Sequence, residues 1–97
     1  MSGMRVKVKL LGVAKDTAGF GQLEVDLGEK STVAEVLETL FDGRGKLREA
    51  VWDSALNTYE SCALVLLNGV EVGNLEGVDS RVGPGDELVL LSVAHGG

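Results

Sequence analysis

Few side chains in this 97-residue chain have the types and spacing that chemistry requires. Cys62 is the single cysteine, opening an apolar run, and reads as a small core residue. His95 is the single histidine, with no cysteine or aspartate pattern beside it, so it reads as a spacer near the chain end. The fragments GFGQ, GRGK and GPGD resemble pieces of phosphate-binding loops, yet none completes a full phosphate-loop motif after a strand, and all read as turns. Acidic residues are scattered, and no metal-ligand cluster is predicted. What remains is the end of the chain itself. The sequence closes on ELVLLSVAHGG, two glycines shortly after an apolar run. Glycines lack Cβ atoms, so another protein's backbone can close tightly around them.

The totals restrict the function classes. A chain of this length makes one domain that buries roughly two thirds of its unfolded surface. Apolar residues make up 44%, enough for a packed core. A net charge of −6 argues against nucleic-acid binding, which needs clustered Lys and Arg, and suits docking on a basic partner. One cysteine permits no internal disulfide, which points to a reducing cytoplasm. No apolar stretch approaches a membrane span, and the N-terminus lacks a continuous signal-peptide core.

Periodicity locates the elements that must carry this end. Val6, Val8 and Leu10 alternate with Arg5, Lys7 and Lys9, and Leu23, Val25 and Leu27 alternate with Glu24 and Asp26, predicting two half-buried strands. Their opposite charges predict antiparallel neighbours. Gly12 to Gly21 reads as a plain connection. Thr32 with Glu35 fits a capping box, and Val33, Val36, Leu37, Leu40 and Phe41 form one helical stripe that ends at Gly43. A shorter helix is predicted over residues 46–55, with Leu47, Ala50 and Val51 inside. CALVLL at residues 62–67 is a strand, Asn68-Gly69 a hairpin turn, residues 70–72 a short return strand, and residues 87–93 the last strand. The order predicts an α+β roll: a mixed sheet of about five strands, one main helix and a second short helix. A right-handed crossover would set the last strand beside the first at the sheet centre. We expect a single domain over residues 1–97 with a flexible tail at residues 93–97.

LLNG at residues 66–69, GPGDELVLL at residues 83–91 and the closing Gly96-Gly97 resemble, over the whole chain, the ubiquitin-like β-grasp sulfur carriers. That group includes the molybdopterin synthase small subunit, the thiazole sulfur carrier and the small archaeal modifiers. Many of these carry proline shortly before the final glycines. Leu91-Ser92 stands there instead, which predicts a more flexible tail. The resemblance implies a protein that is not itself an enzyme and holds no cofactor. Its Gly97 carboxylate, with Gly96 beside it, is adenylated by an E1-like enzyme using ATP and passed to a sulfur donor as a thiocarboxylate. The product serves molybdenum cofactor synthesis or tRNA thiolation, with a large synthase subunit as a further partner. The alternatives are a modifier joined through Gly97 to lysines of target proteins, and an interaction module with an incidental tail. The two runs CALVLL and LVLLSV are apolar at both parities, so the sheet face away from the helix is expected to dock the partner. Its expected contacts are Val65, Leu67, Val89, Leu91, Val93 and His95, with the opposite strand parity as the alternative.

Overall fold

The computed structural model describes residues 3–93. Five strands form one sheet in the order β2-β1-β5-β3-β4. They are β1 (Gly3–Gly12), β2 (Gln22–Gly28), β3 (Ala63–Leu67), β4 (Val70–Glu71) and β5 (Glu87–Ser92). Three helices accompany them: α1 (Val13–Ala18), α2 (Val33–Phe41) and α3 (Gly45–Val51). Short 3-10 turns at Val72–Asn74 and Gly77–Asp79 lead into the last strand. The predicted roll is therefore present, with one helix more than expected.

The alternation in β1 and β2 sets the layers. Val6, Val8 and Leu10 are fully buried, and Val25 and Leu27 lie beside them. The two strands pair antiparallel with Arg5 opposite Asp26 and Lys7 opposite Glu24. Arg5 holds Asp26 at 2.9 Å and Glu24 at 3.4 Å, all three on the solvent side. From above, α2 supplies Val33, Val36, Leu37 and Leu40 to the core, and α3 supplies Leu47 and Val51. Ala50 is only half-buried at the edge of that face. Leu88 and Leu90 of β5 complete the same cluster.

Two local expectations are corrected. The connection after β1 is not irregular: Val13–Ala18 is the short helix α1, which packs on α3 and β5. Its six residues lie between glycines and carry too little periodicity to be read as helix. The capping box at Thr32 is also not formed. Thr32 makes no side-chain bond to the helix backbone; its Oγ1 lies 3.4 Å from Glu35 Oε1 instead. The first free amide of α2, that of Val33, donates to the Ser80 carbonyl at 2.9 Å, so a distant loop does the capping.

Both ends of β5 are fixed by side chains. At its start, the backbone of Asn68 donates to the Glu87 carbonyl at 2.8 Å, and Asn68 Oδ1 accepts from the Glu87 amide at 3.0 Å. Asn68 and Gly69 both have positive φ, as the hairpin turn demands. At its end, Ser92 Oγ donates to the Ala50 carbonyl at 2.7 Å.

Candidate functional site

The strand that leads to the chain end occupies the middle of the sheet. β5 runs parallel to β1, pairing from Lys7–Glu87 to Gly12–Ser92, and antiparallel to β3, pairing from Leu67–Leu88 to Ala63–Ser92. The ladder therefore stays closed on both sides up to Ser92. Val93 lies beyond it and is 63% exposed. The chain therefore leaves the ladder at the sheet centre.

Pleating decides which residues surround that exit. Along β5, Leu88, Leu90 and Ser92 face the helices, so Glu87, Val89 and Leu91 face the open side. Residues directly opposite in a ladder share a face, which places Leu64 and Leu66 of β3 on the open side with them. On β1 the open-side residues are Arg5, Lys7, Lys9 and Leu11. Read across the sheet, the row nearest the exit is Leu11, Leu91 and Leu64. The next row is Lys9, Val89 and Leu66, and the one after it begins with Lys7 and Glu87. The surface thus changes from charged to entirely aliphatic toward the point where the chain leaves. Leu11 is 45% and Leu64 40% exposed. The charged end is internally compensated, with Lys9 Nζ 3.3 Å from Glu87 Oε2.

The predicted contacts divide accordingly. Val89, Leu91 and Val93 lie on or beside this patch. Val65 and Leu67 do not: they are 0% and 7% exposed and belong to the core beneath the helices. CALVLL carries no polar residue to mark its solvent side, and the structure takes the opposite parity, with Leu64 and Leu66 outward. The signal lay across the hairpin, where Glu71 is opposite Leu66 and so marks that face as the wet one. Leu11 was missed too, although it breaks the basic series Arg5, Lys7, Lys9 at the same parity. His95, Gly96 and Gly97 lie outside the described residues.

Other candidates fall away. Cys62 is buried, with Sγ 3.8 Å from Ser61 Oγ, as a core cysteine should be. Among the described residues no group of three His, Cys, Asp or Glu side chains is placed to hold a metal ion. No helix among them is long and apolar enough to cross a membrane. A groove of about 750 Å³ on the helical side is lined by Leu37, Phe41, Arg48 and Trp52, with no residue of the open face.

The ThiS family model matches residues 8–97. No curated protein matches the sequence. Among solved structures, the chain is similar to small archaeal modifier protein 1 of Haloferax volcanii, with 26% identity and a TM-score of 0.81 over 96% of this chain and 99% of that one. Small archaeal modifier protein 1 of Methanosarcina acetivorans is 27% identical, with a TM-score of 0.80 over 100% of both chains. A chain in the BexX/CysO complex of Amycolatopsis orientalis shares the fold at 19% identity and a TM-score of 0.74, over 95% of this chain and 99% of that one. A β-grasp sheet with the final strand at its centre, and a family match that runs from β1 through residue 97, have one reading: the chain belongs to the ThiS family, within the ubiquitin-like sulfur carriers and small modifiers.

Proposed function

We propose that this protein is a sulfur carrier whose reactive atom is the carboxylate of Gly97. An E1-like enzyme binds the aliphatic patch around the tail root and draws residues 93–97 toward ATP. Five extended residues reach at most about 16–18 Å, enough to enter a narrow channel. A carboxylate oxygen attacks the α-phosphorus of ATP, and pyrophosphate leaves. A hydrosulfide sulfur then attacks the acyl adenylate carbonyl and AMP leaves, which yields the thiocarboxylate directly; a persulfide donor gives an acyl disulfide instead, which a second thiol cleaves to the thiocarboxylate and a donor disulfide. The protein needs no resident cofactor for this, since the ATP belongs to the activating enzyme. The thiocarboxylate then serves molybdenum cofactor synthesis or tRNA thiolation.

The observation that carries the reading is the all-leucine row, Leu11, Leu91 and Leu64, beside the exit of a central strand. An exposed apolar patch of this kind marks a protein interface, and here it adjoins the segment to be delivered. The test is intact mass after incubation with the cognate activating enzyme, ATP and a sulfur donor. A gain equal to the difference between sulfur and oxygen at the C-terminus is expected. An unchanged mass in the presence of an active enzyme would end the proposal.

A second reading is favoured by the likeness to two small archaeal modifier proteins at 26% and 27% identity. Here the acyl adenylate passes, through the activating enzyme, to a lysine amine of another protein. After tryptic digestion, which cuts last at Arg81, a branched remnant of residues 82–97 on lysines of other proteins would identify this use. Both readings share the adenylation step.

A further inference from the structure

We propose that Ser92 is a positioning residue for the chain end: its hydroxyl locks the last rung of β5 to α3, so the chain leaves the sheet at Val93 from a fixed origin. Ser92 has the core-facing parity of β5, following Leu88 and Leu90, and is 1% exposed. A polar group so buried requires a partner. It has one in the Ala50 carbonyl, 2.7 Å from Ser92 Oγ. Ala50 lies in the final turn of α3, which ends at Val51, so its carbonyl belongs to the set that a helix end leaves without an amide partner. One bond satisfies both needs.

Two further elements close on the same residue. Gly12 has φ of +67°, and a Cβ there would overlap the Ser92 carbonyl oxygen, so β1 approaches this rung more closely than any side chain permits. On the other side Ala63 pairs with Ser92. The rung is thus held by β1, β3 and α3 together, whereas Val93 is outside the ladder and exposed. A proline-free approach to the tail is therefore compatible with a fixed origin.

A partner that must thread the chain end bears an ordering cost for each residue not already fixed. Releasing the last rung adds to that cost before docking and leaves the chemistry at the carboxylate unchanged. Loss of binding shared by ground and transition states raises KM and spares kcat.

Ser92→Ala, Ser92→Cys and Ser92→Thr separate this role from simple stability. In the alanine variant the amide order parameter of Val93 should fall from its wild-type value into the flexible range below about 0.6, with the amides of β1 and β2 unmoved. In pyrophosphate release by the activating enzyme, KM for the alanine variant should rise by about fivefold or more with kcat within about twofold. The threonine variant, which keeps the hydroxyl, should restore both, and the cysteine variant, a weaker donor of similar size, should fall between. An alanine variant with unchanged Val93 order, or with lost order but unchanged KM, overturns the proposal. The kinetic arm rests on the carrier reading and the relaxation arm does not. A wild-type protein that is never adenylated therefore removes that reading alone, and Val93 order still decides the anchor.

Discussion

Leu64 and Val65 are neighbours in sequence and opposites in consequence. Leu64 is on the open face with its side chain partly in water, and Val65 is sealed beneath the helices. An aspartate at Val65 would place a carboxylate among aliphatic side chains with no partner, a class of substitution that costs of order 4 kcal/mol or more. Leu64→Asp should change stability by about 0.5 kcal/mol or less, the range of ordinary surface substitutions. It should still weaken binding to the activating enzyme by about tenfold or more if the leucine row is the docking surface. Urea denaturation and a binding titration on both variants check the pair. Tyr59 offers a second residue-level test. Burial pushes its phenol above the ordinary value of 10, and the carboxylates of Glu60 and Glu71 push in the same direction. A group whose pKa is raised on folding stabilises fully below its unfolded pKa, and that contribution is lost as pH rises toward the folded value. Stability should therefore decline above about pH 10. In Tyr59→Phe this part of the alkaline decline should be absent from a series of thermal melts.

At the scale of elements, the break between β1 and α1 depends on one residue. Gly12 combines a φ of +67° with the close approach to Ser92. Gly12→Ala should destabilise by more than about 2 kcal/mol, because a left-handed backbone already costs about 1–3 kcal/mol for a residue with a side chain, and the overlap adds to it. Chemical denaturation measures the loss, and the same variant should disturb the amides of Ser92 and Val93 first. The elements also show where sequence is legible. β1 and β2 carry opposite charges on alternate positions, so their faces and antiparallel pairing follow from the pattern, while the register that sets Arg5 opposite Asp26 does not. The hairpin at Asn68-Gly69 is equally plain. β3 is apolar on both faces because a central strand meets the helices on one side and forms the patch on the other, so period two carries no information within it. The N-terminus of α2 misleads for a different reason. Thr32 has the right chemistry for a cap, but its Oγ1 bonds the Glu35 side chain, while the Val33 amide is taken by the Ser80 carbonyl from a distant loop. No local rule sees such a contact.

For the whole molecule, the body and the end proposed to react are separable. Among the described residues, every side chain of the hydrophobic core lies between Met4 and Leu90, and the last rung of the sheet is at Ser92. The residues proposed to react, Gly96 and Gly97, were legible from sequence for a reason unrelated to the fold: two glycines close the chain shortly after an apolar run. The roles proposed for Ser92 and Leu11 were not legible, because each depends on contacts that exist only when β1, β5 and α3 meet. Separation of the two parts makes a sharp prediction. Deleting Gly96 and Gly97 should leave unfolding free energy within about 0.5 kcal/mol of the intact protein, since the core and the sheet ladder of the described residues are complete by Ser92. The shortened protein should keep the leucine row and so should still bind the activating enzyme, competing with the intact protein for it. It should show no mass gain with ATP and a sulfur donor, because its new terminal carboxylate stops two residues short of the nucleotide and carries the side chain of His95. Unfolding curves, a competition assay and intact mass on the same preparation give three readings. Normal stability and competition without sulfur transfer is the expected combination, and sulfur transfer to the shortened chain would refute the carrier mechanism.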